Sequence, residues 1–279
     1  MAGHVLTVML RQEPSAYTVI DASRSTSAID PKLLLDMKNT ARLINIINEM
    51  RPDIIVNCVG LLNKYAEEHP DEAIFINSYL PHFLETHTAV MGCKIIQIST
   101  DCVFSGKKGG YIETDFKDGL GFYAQSKALG EIKNDKDLTI RTSIIGPELK
   151  KDGTGLFNWF VQQTGEVLGY SNAYWSGVTT IELALAIKAA IKENMSGLYH
   201  LSSPIKISKN DLLILFQKEF GIKINIRSYG EYKVDKSLIN TRSDTTNVAS
   251  SYNQMINEMH IWIVLHKNLY RHYSSKLFS

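Results

Sequence analysis

Cysteine is scarce in this chain: three residues of 279, Cys58, Cys93 and Cys102. An odd number without metal-ligand spacing argues against a disulfide framework and a thiolate centre, and no metal site is expected. All three sit in or beside apolar strand-like runs, as small buried thiols do in a reducing cytosol. An excess of one charge is also lacking. The 30 Lys and Arg nearly balance 29 Asp and Glu, leaving +1. Neither a nucleic-acid footprint nor an acidic tail is written in such a balance. No apolar run approaches the roughly 18 residues of a membrane span. The first ten residues are mildly apolar but carry neither a basic region nor a small-residue cleavage site. They read as a folded helix, and the protein as cytoplasmic, with no membrane or nucleic-acid partner. Internal repeats and low-complexity tracts are missing too.

What is present is an alternation. Tyr17 to Ala22 reads as a strand, and Thr40 to Met50 carries a helical stripe of Leu43, Ile44, Ile46 and Ile47. Asp53 to Cys58 is a continuous apolar run of the kind buried on both faces. A long helix is expected from Pro70 to Met91, bent at Pro81, then a strand at Lys94 to Ser99. A helix at Gly121 to Lys133 and a strand at Leu138 to Thr142 follow. Such order predicts an α/β fold with a doubly wound parallel sheet. Past Gly146 the pattern is less regular. Helices are expected at Thr154 to Gln163, Thr180 to Glu193, Ser208 to Phe220 and Tyr252 to Leu265. Short strands fall at Leu198 to Leu201 and Gly221 to Arg227. The division expected is 1–146 for the sheet domain and 147–279 for a smaller, mostly substrate-binding domain whose segments interleave with the first.

Thr100, Tyr123 and Lys127 carry the chemistry. Ser99-Thr100-Asp101 ends the Lys94 strand, and Tyr123 to Lys127 opens a helical pattern. A phenol and an ammonium four residues apart on a helix share one face. A free Tyr has a pKa of about 10, and a neighbouring cation lowers it. Tyr123 then serves as an acid or base, with Thr100 holding the substrate oxygen. Tyr-x-x-x-Lys also occurs at Tyr229 with Lys233 and at Tyr232 with Lys236. Only the Tyr123 copy follows a strand ending in hydroxyl residues, so the other two are read as accidental.

At these residues the chain resembles the extended short-chain dehydrogenase/reductases, most closely the dTDP-4-dehydrorhamnose reductase branch. The matching pieces are Ser99-Thr100-Asp101 with Val103 to Gly106, Tyr111 with Glu113, and Tyr123 to Glu131. Arg141-Thr142-Ser143, Gly177 to Thr180 and Gly197 to Leu201 follow in the same order. The resemblance implies a Rossmann-like domain and a hydride from NADP or NAD, in reduced form, to the keto group of a nucleotide-linked deoxysugar, in cell-surface polysaccharide synthesis. Tyr123 would give the proton, Lys127 would lower its pKa and hold the nicotinamide ribose, and Thr100 would bond the reacting oxygen. Cofactor contacts carried over are Gly3, Asp36, Asn57, Cys58, Val59, Gly60 and Asn77. Substrate contacts are Leu62, Asn63, Asp101 and Trp175. Asp21 suits the ribose of NAD and Arg24 the 2′-phosphate of NADP, so both cofactors stay open. A possible homodimer through the Pro70 and Gly121 helices is a family-level implication.

Departures from the family are as informative. Related dehydratases look like Thr-Asp-Glu where this chain has Cys102. A neutral thiol cannot replace that carboxylate, so simple reduction is favoured over dehydration. Val178 stands where the family has Pro. The family begins with a strand and a Gly-x-x-Gly-x-x-Gly turn, of which only Gly3 is matched. The sheet is therefore expected to lack its first strand, the chain to be clipped upstream, and cofactor binding to be weak if it starts here. A non-catalytic regulatory subunit and a sugar-nucleotide epimerase are the alternatives.

Overall fold

Ile95 and Ile96 are adjacent in sequence and fully buried in two different cores. A strand points successive side chains to opposite faces, so this pair marks a sheet covered on both sides. The computed structural model describes residues 1–24, 33–245, 249–273 and 277. In chain order the first elements are α1 (Ala2–Arg11), β1 (Ala22–Ser23), β2 (Leu33–Leu34), α2 (Thr40–Met50) and β3 (Ile54–Asn57). Next come α3 (Asn63–Glu68), α4 (Pro70–Ala73), α5 (Leu80–Thr88), β4 (Lys94–Thr100), α6 (Gly121–Leu129), β5 (Leu138–Thr142) and β6 (Ile144–Ile145). The remainder is α7 (Leu156–Gln162), β7 (Glu166–Tyr170), β8 (Ala173–Trp175), β9 (Val178–Thr179), α8 (Thr180–Lys192) and β10 (Gly197–His200). It closes with β11 (Ile207–Ser208), α9 (Lys209–Phe220), β12 (Asn225–Tyr229), β13 (Val234–Asp235) and α10 (Tyr252–Leu265).

The central sheet is parallel, in the order β10-β5-β4-β3. On one face α2 and α5 contribute Leu43, Ile47, Leu80, Phe83 and Leu84 to the core that takes Ile95. On the other, Val5, Leu6 and Met9 of α1 and the apolar face of α8 pack with Ile96, Leu138 and Ile140. This is the doubly wound arrangement expected. The strand expected at Tyr17 to Ala22 is reduced to Ala22–Ser23. Its backbone forms a parallel ladder with Leu33 and Leu34, through Leu33 N–H to Asp21 O and Leu35 N–H to Ser23 O. Among the described residues, no ladder joins the β1–β2 pair to β3.

The expected long helix is divided. Ile74–Tyr79 is a π-helical segment between α4 and α5, and Pro81 falls in the first turn of α5. π-Helical insertions are uncommon and cluster at functional sites; this one carries Asn77. Ser208 caps α9 by accepting the Asp211 N–H at 3.0 Å, as its position predicts. From the chain after Gly146, β10 is a strand of the central sheet and α8 packs on α1. Among the described residues, no helix is long and apolar enough to cross a membrane.

Candidate active site

Thr100 ends β4, and its hydroxyl oxygen accepts the Cys102 N–H at 3.1 Å. That bond turns the chain sharply into the 3-10 turn Asp101–Val103. Opposite lies the start of α6. Leu120 precedes that helix and offers no side-chain cap. Glu67 of α3 supplies one: its two carboxylate oxygens accept the Phe122 and Tyr123 N–H groups, each at 3.0 Å. A carboxylate there satisfies orphan donors and complements the helix dipole. Gly121 makes room, with φ +88 and a would-be Cβ 2.6 Å from a Glu67 oxygen. Tyr123 is thereby fixed facing Thr100, on a cleft of about 490 Å³ that Asn63, Cys102, Phe104 and Leu120 also line.

The electrostatics overturn one expectation. The Tyr123 phenol is raised, not lowered: burial is the main cause, and the Cys102 and Asp101 groups add to it, while the neighbouring Thr100 hydroxyl works the other way. Lys127 is not among the groups acting on it. Its ammonium instead donates to the Ile98 carbonyl at 2.6 Å. Burial pushes the Lys127 pKa down to about 8, against the attraction of Glu131. Desolvation therefore outweighs pairing at both groups. Tyr123 is a protonated donor across the neutral range. The Cys102 thiol is raised to about 11, by burial first, and so is neutral. Burial also raises Asp101.

Several residues expected at a cofactor site converge on Lys127. A Cβ on Gly60 would lie 3.4 Å from Asn77 Oδ1 and 3.9 Å from Lys127 Nζ, and one on Gly3 would lie 3.4 Å from Cys58 Cβ. Asn77 accepts the Leu61 N–H at 2.9 Å and donates to Leu61 O at 3.0 Å and Ser126 Oγ at 3.1 Å. It so pins the Val59–Leu61 loop against α6. Asn57 bonds Gln97 and the Val59 N–H, shaping the same loop from the sheet side. Asp36 is exposed in the turn before α2, where it takes the Lys38 N–H. Leu62 is exposed at the entry to α3. Asp101 is 5% exposed and accepts from the Thr100 hydroxyl. Trp175 is only 2% exposed, stacked on Tyr252, with the Lys209 ammonium 4.8 Å from its ring. Its place in β8 turns its ring into the core.

The scattered pieces Glu113, Glu131, Arg141 and His200 meet in one buried network beneath β4. Arg141 clasps Glu131 at 2.6 and 2.8 Å, and Ser99 donates to the same carboxylate at 2.8 Å. The other arm of Arg141 reaches the Glu113 carbonyl at 3.2 Å and His200 Nε2 at 3.1 Å. Burial raises Glu131, but the Arg141 pair prevails and holds it below the usual carboxylate range. Sequence reasoning missed Glu67, whose capping partner is 55 residues away. It also set Lys236 aside with an accidental motif: Tyr232 to Lys236 is not helical and the two share no face, yet Lys236 lines the cleft.

Residues 15–232 match the family described as the RmlD substrate binding domain. A dTDP-4-dehydrorhamnose reductase of Aggregatibacter actinomycetemcomitans is 26% identical over 206 residues, covering 68% of this chain and 69% of that one. The spore coat polysaccharide biosynthesis protein SpsK of Bacillus subtilis is 27% identical over 203 residues, covering 71% of each. Among solved structures, the dTDP-4-dehydrorhamnose reductase of Bacillus anthracis in complex with NADP superimposes with a TM-score of 0.79. It is 21% identical and covers 92% of this chain and 95% of its own, which establishes a common fold.

Proposed function

Since the chain belongs to the RmlD substrate binding domain family, we propose that it is an NAD(P)H-dependent reductase. Its substrate is the 4-keto group of a nucleotide-linked deoxysugar destined for a cell-surface polysaccharide. The observation that carries this reading is the Tyr123 phenol, beside Thr100 at the end of β4 and on the wall of the cleft. The reduced nicotinamide, when bound, supplies the hydride. The residues fit such a group: Gly60 leaves the space beside Asn77 and Lys127 clear of a side chain, and Gly3 lies in the first turn of α1, where free N–H groups suit phosphate.

Around that chemistry the chain holds and moves protons. Thr100 orients the carbonyl oxygen of the substrate beside the phenol. Tyr123, held protonated, donates its proton to that oxygen as charge develops there. Lys127, tied to the Ile98 carbonyl at the base of α6, keeps a cation behind the loop that faces the cofactor. The neutral Cys102 thiol provides no carboxylate base, which fits reduction rather than loss of water. From the chain after Gly146, Lys236 comes to the wall of the same cleft.

The test is consumption of NADPH or NADH with a panel of nucleotide-linked 4-keto sugars, followed at the nicotinamide absorbance. Tyr123→Phe is expected to lower kcat by about 10²–10⁴-fold, the usual worth of a general acid, with cofactor affinity little changed. Absence of any nicotinamide consumption across the panel, or a Tyr123→Phe enzyme as fast as the parent, overturns the reading.

A further inference from the structure

Four lysines line the cleft or pair with the segments that carry its wall, and they divide into two kinds. Lys108 pairs with Asp115 and Lys206 with Asp235, each at 2.6 Å. Lys107 and Lys236 line the cleft itself. Among the described residues neither has a carboxylate within ion-pair distance. Glu67 is the acid on the cleft wall, and both its oxygens are engaged by the N–H groups that start α6. The cleft therefore presents two cations held in no ion pair among the described residues, on two separate stretches of chain, with Tyr123 on the same wall.

Lys236 is held there by construction. The segment that carries it is bonded to the loop after β4 on both sides of the lysine. Asp235 N–H donates to Gly106 O at 2.8 Å. Tyr111 N–H donates to Ser237 O, and Ile239 N–H to Tyr111 O, each also at 2.8 Å. The flanking side chains turn to each other: Ser237 Oγ donates to Asp235 Oδ1 at 2.6 Å and accepts the Gly110 N–H at 2.9 Å. Lys236, between them, faces the cleft. Its stem lies against Gly106, whose φ is +84. A Cβ at that position would stand 3.0 Å from Lys236 Cγ and 2.3 Å from Val234 Cγ2. The carboxylate that acts on the Lys236 charge is Asp101, buried beneath the cleft.

We infer that Lys236, with Lys107, grips the diphosphate linkage of a nucleoside-diphosphate ligand, so that the group one sugar ring away is presented to Tyr123. This deepens the reductase reading and rests on it for the identity of the sugar end. Lysine suits the task because a compact ammonium binds phosphate oxygens without demanding a planar approach. Two such charges set apart on the wall match two linked phosphates better than one.

The experiment is calorimetric binding of thymidine diphosphate and uridine diphosphate, each against its monophosphate and nucleoside, with no cofactor present. Variants are Lys236→Met, which keeps the stem on Gly106, Lys236→Arg, which restores charge, and Lys107→Met. The parent protein is expected to prefer diphosphate over monophosphate at least tenfold. Lys236→Met should weaken diphosphate binding about tenfold with Tm and nucleoside binding unchanged, Lys107→Met should weaken it less, and Lys236→Arg should recover most of it. The proposal is overturned by no diphosphate preference in the parent, or by a Lys236→Met protein that binds diphosphate as the parent does. A loss in Lys236→Met that Lys236→Arg does not recover would overturn it too. Failure of the reductase reading shows separately, as absent nicotinamide consumption with diphosphate binding intact.

Discussion

At the residue scale the site is governed by desolvation. Tyr123 and Lys127 are four apart on one helix, but the ammonium is bound to the Ile98 carbonyl and burial moves both groups toward their neutral forms. With its pKa near 8, Lys127 is charged below that pH and loses its proton above it. A reaction that needs the cation should therefore lose kcat/KM as pH rises through about 8. Lys209 is depressed to about 8 as well, by burial, while Asp101 and Cys102 pull it back. The pH profiles of Lys127→Arg and Lys209→Arg, read beside the parent, assign the falling limb: the variant that carries it moves the limb to higher pH. A parent profile flat from pH 7 to pH 9 would show that neither charge matters to turnover.

At the element scale, α6 depends on a borrowed cap. Glu67→Ala leaves the Phe122 and Tyr123 N–H groups without their carboxylate. The expected cost is about 1 kcal/mol, the usual worth of a helix N-cap, measured by urea denaturation. A drop in kcat beyond the change in stability is also expected, because the cap sets the position of Tyr123. Elements of this kind show what the sequence discloses. Apolar alternation revealed β3, β4, β5 and most helices, since burial writes a period into the chain. The placing of Tyr123 opposite the end of β4, with Lys127 on the same helix, was legible because spacing on a helix and the end of a strand are local properties. Glu67 and Lys236 were not, since each acts on residues far away along the chain. Trp175 misleads for the opposite reason: a large aromatic beside glycine reads as a binding platform, while β8 turns it inward against Tyr252. The strand expected at Tyr17 to Ala22 is displaced to Ala22–Ser23 because a ladder is set by where its pairing segment lies, here Leu33–Leu34, and not by the apolar run alone.

At the scale of the whole molecule, Arg141 of β5 ties together Glu131 after α6, the Glu113 loop and His200 of β10. Its buried pair with Glu131 is worth little as a pair but much when broken, because one charge is then left alone. Glu131→Ala is expected to cost about 3–5 kcal/mol on that ground, measured as a fall in the urea midpoint. Glu131 is held below its unfolded pKa, so its contribution is present above about pH 4.5 and fades as pH falls through the folded value. The parent should lose stability on acidification through that window, and Glu131→Gln should lose less over the same range. Equal acid sensitivity in the two proteins would place the acid-labile contact elsewhere.

The bonds between the Gly106–Tyr111 loop and residues 235–239 span up to 129 positions of sequence, from Gly106 to Asp235. Contacts so distant along the chain are among the slowest to form. A polypeptide growing from the ribosome can assemble β3 and β4 while the wall bearing Lys236 is still unsynthesised. The proton donor Tyr123 is thus made long before the wall that faces it, and a message cut short before codon 234 would yield a chain with the phenol but no finished chamber around it.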